Sequence, residues 1–113
     1  MYGVPIDLDI DIFTGAGLEQ VCVGQFHVQF NFEGGRSIGV EGRWQILGQL
    51  GDPFADVARG AIGTAVPFHP LLGQRVVGGS VHPPEWFELR FEGGFALRIF
   101  DDSEQYESFS IQP

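Results

Sequence analysis

Phe87, Leu89 and Phe91 alternate with Glu88, Arg90 and Glu92, and after Gly93-Gly94 the alternation resumes as Phe95, Leu97 and Ile99 around Ala96 and Arg98. A period of two residues belongs to a strand with one buried face, and two such runs about a glycine pair make an antiparallel hairpin. A loop of Gly93-Gly94 alone would set Phe91 against Ala96 and Leu89 against Arg98, mixing core and polar residues on one face. The loop Glu92-Gly93-Gly94 instead pairs Phe91 with Phe95, Leu89 with Leu97 and Phe87 with Ile99. It suits a type I turn closed by a left-handed glycine. Glu88 then faces Arg98, and Trp86 faces Phe100, on the outer side.

The same device occurs earlier, where Phe30-Asn31-Phe32-Glu33-Gly34-Gly35 matches Leu89 to Gly94 at an offset of 59 residues. Its register pairs Phe32 with Arg36, Phe30 with Ile38 and Val28 with Val40. Extended outward, it pairs Phe26 with Gly42, Gly24 with Trp44 and Cys22 with Ile46, across long strands Val21–Phe32 and Ser37–Leu47. The outer face of that pair sets His27 opposite Glu41 and Gln25 opposite Arg43. Two similar hairpins are read as one solution reached twice, and two copies do not make a repeat array.

Ahead of this pair, Ile6, Leu8, Ile10 and Ile12 alternate with Asp7, Asp9 and Asp11, which predicts a strand from Ile6 to Phe13. The aspartates fail the calcium-loop pattern, which needs a glycine and a bidentate acid where Ile12 and Leu18 stand. They form a solvated face that discourages edge pairing. After Gly51, Asp52-Pro53 reads as a helix cap with proline at the first turn. Phe54, Val57, Ala58, Ala61 and Ile62 follow at helical spacing, predicting one short amphipathic helix over Pro53–Ile62. A further helical turn is expected at Pro67–Leu72, ended by Gly73. Val77, Gly79 and Val81 are placed opposite Phe91, Leu89 and Phe87. A last strand is expected at Tyr106–Ile111. The expected fold is α+β, mainly an antiparallel sheet in two meander regions with that helix between them, as one continuous sheet in a single domain spanning 1–113.

Fifteen acidic residues against six arginines give a formal charge of −9 among 113 residues. Nucleic-acid backbones and anionic membranes are thereby disfavoured, and a basic protein is the favoured partner. MYGVPIDLDIDIF has no basic region before its apolar residues and no apolar run, so neither a signal peptide nor a membrane span is read there. Cys22, the only cysteine, is placed on an inward strand face, which fits a reducing cytoplasm.

The histidines His27, His69 and His82 show no zinc spacing, no serine occupies a nucleophile elbow, and no phosphate loop is present. No catalytic residue, metal site or cofactor is assigned. The expected partner surface is the acidic turn Asp101, Asp102, Glu104 and Glu107 beside Tyr106, together with the outward aromatics Trp86 and Phe100. The alternatives are a small hydrolase or isomerase using His27 with Glu41, or Glu104 with Glu107, and a structural homodimer joined through Trp86 and Phe100.

Pro70-Leu71-Leu72-Gly73-Gln74-Arg75-Val76, Leu89 to Gly94 and Tyr106-Glu107-Ser108-Phe109 together resemble a family of small uncharacterised bacterial proteins. Its pattern is Leu-Leu-Gly-x-x-Val, a strand ending in Phe-x-x-Gly, an aliphatic strand, and Tyr-Glu-(Ser/Ala)-aromatic. The resemblance covers about Pro70 to Ile111 and implies an antiparallel sheet with a small helical insertion; it brings no activity. In size, charge and composition the chain is also similar to immunity proteins that sit beside bacterial toxins. If the register is right, Phe30→Ala and Phe91→Ala each cost about 3–5 kcal/mol; an unchanged melting temperature for Phe91→Ala would refute it.

Overall fold

A computed structural model describes residues 4, 8–24, 27–51, 53–57, 70–101 and 109–112, the strand 53–57 by its backbone alone. The strands are β1 (Leu18–Val23), β2 (Val28–Phe32), β3 (Ser37–Val40), β4 (Trp44–Leu47), β5 (Pro53–Val57), β6 (Val76–His82), β7 (Trp86–Phe91), β8 (Ala96–Phe100) and β9 (Phe109–Gln112). They form two antiparallel sheets, in the orders β1-β2-β3-β9 and β5-β4-β8-β7-β6. Phe30 meets Trp44 edge-on at 5.5 Å, and Phe87 meets Phe109 at 4.9 Å, so each contact joins one sheet to the other. The arrangement is a two-layer sandwich over one shared apolar cluster.

Both glycine hairpins have the register that their alternation requires. Phe87 lies opposite Ile99 and Leu89 opposite Leu97; Val28 lies opposite Val40 and Phe30 opposite Ile38. Each loop closes alike, with the amide of Phe91 donating to the Phe95 carbonyl and that of Phe32 to the Arg36 carbonyl, both at 2.8 Å.

The likeness extends well beyond the loops. Leu18, Val21 and Val23 pair with Phe32, Phe30 and Val28, as Val76, Gly79 and Val81 pair with Phe91, Leu89 and Phe87. A bulge interrupts both ladders at the same place, between Leu18 and Gln20 and between Val76 and Gly78. On the far side, β9 flanks β3 with Phe109 opposite Val40 and Ile111 opposite Ile38. Likewise β4 flanks β8, with Trp44 opposite Ile99 and Ile46 opposite Leu97. β1-β2-β3 therefore corresponds to β6-β7-β8, and the fourth strand of each set is exchanged into the other sheet.

The halves meet where Gly17 and Arg75 form an isolated bridge. Hydrogen bonds there come in matched pairs. Leu18 donates to Gln74 as Val76 donates to Ala16, and Gly15 donates to Val76 as Gly73 donates to Leu18. Glu33 and Glu92, the first residues of the two glycine loops, donate to the carbonyls of Gly17 and Arg75, each at 2.9 Å. Gly15 and Gly73 adopt φ values of 89° and 80°, a region that suits glycine at both equivalent turns. Matching through four strands exceeds what convergence on a loop would produce, so the hairpins belong to an internal twofold repeat.

Several expectations are corrected. The sheet is not continuous: the chain bends at Glu41-Gly42, and Trp44 enters the second sheet instead of facing Gly24. The expected strand Val21–Phe32 is a hairpin, in which Val23 faces Val28 and Cys22 faces Gln29, so Cys22 is exposed rather than buried. Leu8–Phe13 is no strand. Asp11–Phe13 forms a 3-10 turn that buries Ile10 and Phe13 while Asp9 and Asp11 stay exposed.

The helix over Pro53–Ile62 is replaced, through Val57, by the edge strand β5 on β4. Proline at the first residue of an edge strand forfeits no necessary ladder bond, which is why Pro53 permits it. Residues 58–62 lie outside the described residues, as do Ile6, Asp7, Phe26 and residues 67–69. Among the described residues the helical content is confined to 3-10 turns, so the α component of the α+β expectation has no support there. No described helix is long and apolar enough to cross a membrane. The β6 bulge puts Val76, not Val77, opposite Phe91, leaving Val77 57% exposed.

Gly79 takes the place that Val21 holds in the other half, and Ile10 fills the space. A Cβ on Gly79 would lie 2.5 Å from both Ile10 Cδ1 and the Glu88 carbonyl, whereas one on Gly78 would meet only the end of Arg90. Gly79→Ala should therefore destabilise by about 1–3 kcal/mol, with Gly78→Ala costing less; equal melting temperatures for the two variants would contradict this packing.

Candidate functional site

On the outer face of the second sheet, Trp86 and Phe100 do lie opposite one another, in a row that His82 continues across β6. The His82 ring stacks on Trp86 at 3.8 Å, and the Arg98 guanidinium lies over the Trp86 ring, also at 3.8 Å. Arg98 Nη2 donates to Glu88 Oε1 at 2.9 Å, with the two side chains only 26% and 13% exposed. Arg43 lies over Phe100 at 4.5 Å, and its carbonyl accepts the Phe100 amide. Trp86 and Phe100 are thus covered by cations from their own sheet.

The outer face of the first sheet is built from uncharged polar residues. One row runs Cys22, Gln29, Gly39, Ser110 across β1, β2, β3 and β9, and the next runs Gln20, Asn31, Ser37, Gln112. Gln29 donates to Asn31 at 2.9 Å, and Asn31 donates to Gln20 at 3.2 Å. One residue beyond the β2–β3 ladder, His27 and Glu41 flank Gly39. Together with Phe109 and Ser110 they line a recess of about 110 Å³. The expectation that His27 and Glu41 lie together is met. Gln25, expected opposite Arg43, lies outside the described residues, and Arg43 belongs to the row of Phe100.

The recess exists because Gly39 has no side chain. A Cβ there would stand 3.2 Å from Ser110 Oγ and 3.7 Å from His27 Cδ2, at ordinary-to-tight packing distance. Under the internal twofold, His27, Gln29, Gly39, Glu41, Phe109 and Ser110 correspond to Trp86, Glu88, Arg98, Phe100, Trp44 and Gln45. At the centre of this patch Arg98 fills the second sheet, whereas Gly39 leaves the first open, and Phe109 and Trp44 turn inward on both. Among the described residues no hydrogen bond joins Ser110, His27 and Glu41, so the linked chain that activates a hydroxyl nucleophile is not assembled.

A larger recess, about 300 Å³, lies beside the Gly17–Arg75 bridge and is lined by Gly17, Leu18, Glu19, Glu33, Gly73 and Arg75. Sequence reading did not find it. The two matched Glu-Gly-Gly loops were the available signal, since both end on that bridge. Several of its polar groups already have partners: Gly17 donates to Glu33 Oε1 at 2.6 Å, and Arg75 Nη1 donates to the Gly15 carbonyl at 2.8 Å and to Glu33 at 3.3 Å. These bonds make it a structural clamp.

Of the expected acidic turn, Asp102, Glu104, Tyr106 and Glu107 lie outside the described residues. Asp101 is buried, with its amide donating to the Glu85 carbonyl at 2.9 Å, and so is withdrawn from the partner surface. Among the described residues no group of three or more histidine, cysteine or acidic side chains gathers to hold a metal ion. Compared with known proteins, the chain matches no family model, no curated protein and no solved structure.

Cys22 shares the polar row with Gly39 and is exposed, its sulfur near Asn31 Nδ2 at 3.6 Å. One equivalent of thiol reagent should label it in the native protein at a rate within a few-fold of that in denaturant. Protection of more than about a hundredfold would restore the buried placement.

Proposed function

We propose that the chain is a non-catalytic binding domain whose partner is a basic protein. The observation that carries this reading is where its charges lie. Arg98 pairs with Glu88 over Trp86, Arg75 pairs with Glu33, and Arg43 covers Phe100, so these cations serve contacts inside the chain. Asp9, Asp11, Glu19, Glu41, Glu85 and Glu92 are exposed. With a formal charge of −9, the outward field steers positively charged surfaces inward and repels acidic ones.

Neutralisation of a basic toxin, in the manner of bacterial immunity proteins, is the sharpest form of this reading. A reducing cytoplasm suits its exposed, unpaired Cys22. A hydrolase or isomerase built on His27 and Glu41 is the second reading, favoured by their sharing one recess. It requires turnover that His27→Ala abolishes. Homodimerisation through Trp86 and Phe100 is not proposed, because a second copy would have to displace His82, Arg98 and Arg43 from the two rings.

Tagged protein incubated in a lysate of its own cells tests the leading reading. A stoichiometric basic partner, retained at low salt and released at moderate salt, is expected. A bait that emerges without one at either salt concentration would overturn it.

A further inference from the structure

The two outer faces share one framework, but the position at its centre carries a side chain on only one of them. On the second sheet, Arg98 rises from the centre of its strand, lays its guanidinium over the Trp86 ring at 3.8 Å and bonds to Glu88. On the first sheet the equivalent position is Gly39, and the equivalents of Trp86 and Glu88 are His27 and Gln29. A side chain at Gly39 would start beside the His27 ring, with Cδ2 at 3.7 Å and Nε2 at 3.9 Å from its Cβ, and with Ser110 Oγ at 3.2 Å. A ring and polar neighbours are retained where the guanidinium is missing, with Ser110 Oγ close against the position.

We infer that the Gly39 recess receives an arginine side chain of the basic partner, whose guanidinium takes the place that Arg98 occupies on the opposite sheet. This rests on the binding-domain reading and names the group that the domain recognises. A planar guanidinium stacks on an aromatic ring and offers five N–H donors in a rigid fork. The recess supplies the flat His27 ring, the Glu41 carboxylate and the Ser110 hydroxyl as neighbours and acceptors. Phe109 also borders it, with its ring turned inward to the core. Its volume of about 110 Å³ is several times the roughly 10–15 Å³ that a single water needs, which leaves room for a guanidinium.

Glu41 is the feature that turns the vacated patch into a cation site. Its counterpart Phe100 carries no charge and serves as a ring under Arg43. Glu41 is exposed at the rim, so a cation arriving from solvent meets a carboxylate first. An anionic group would meet that carboxylate within a chain of charge −9 and is rejected by both. An ammonium fills the charge requirement but has no planar surface for the His27 ring and no fork for several acceptors at once.

The test compares ten-residue arginine and ten-residue lysine peptides, equal in charge, by isothermal titration at fixed salt. The general field attracts both alike, so the recess is read from their ratio. The arginine peptide should bind wild type about tenfold more tightly than the lysine peptide. Glu41→Gln and Gly39→Met, the latter filling the recess without adding charge, should bring the ratio to about one. Gly39→Arg should do the same by supplying the missing side chain from within.

Equal binding of both peptides to wild type, or an unchanged ratio in the Gly39 variants, would overturn the recess assignment while leaving the basic-partner reading intact. Failure of wild type to bind either peptide would overturn both. Should the Gly39 variants not fold, propylguanidinium titrated into isotopically labelled wild type decides. Amide shifts confined to His27, Gly39 and Ser110 support the site, and shifts scattered among the exposed acids refute it.

Discussion

Everything else in this molecule depends on the backbone junction between Gly17 and Arg75. It is the place where two sheets that lie in separate layers become hydrogen-bonded to each other, and each bond on one side has its partner on the other. Because the glycine loops of both hairpins also deliver their first amides to this junction, it fixes the ends of β2 and β7 together with the starts of β1 and β6. Glu33 adds a side-chain clamp to Gly17 and Arg75. The apolar faces can then meet across the sandwich only in the register that sets Phe30 against Trp44 and Phe87 against Phe109.

What was legible in the sequence was local. The Glu-Gly-Gly loop dictates the second hairpin's register, because a two-residue Gly-Gly loop would set Arg98 against Leu89 on the buried face. The exchange between sheets was not legible: Ile38, Val40, Gly42, Trp44 and Ile46 keep one parity, so nothing in the alternation marks the point where the chain leaves one layer for the other. Cys22 to Phe32 hid its turn the same way, its even-numbered residues reading as an unbroken strand. In Pro53–Val57, Phe54 and Val57 suited a helix and a strand equally, and the unfilled edge of β4 decided the matter. The candidate site was half visible. The register put His27 with Glu41, but Gly39 reads in isolation as a weak strand residue, and its meaning appears only when Arg98 is set beside it.

The twofold repeat also separates the inward positions from the outward ones. Phe30, Ile38, Leu89 and Leu97 are fully buried in both halves, so the inward positions are maintained on both sides of the axis. The outward positions have diverged into a self-contained stack of ring, guanidinium and carboxylate on one sheet and an open polar patch on the other. A face that satisfies its own charges is a stable surface with little left to offer. Its counterpart keeps the acceptors and gives up the occupant.

The exchanged fourth strands carry a further consequence. β9 covers the edge of β3 and β4 covers the edge of β8, so neither half can finish its own sheet. A chain of half this length would expose an unpaired edge, with a spare strand to donate, and would finish its sheets only by trading strands with a second copy. Joining the halves in one polypeptide replaces that encounter with an intramolecular one, governed by a tether rather than by dilution. The fused chain can therefore present two unlike faces and keep its two halves together at concentrations where a pair of separate identical halves would come apart.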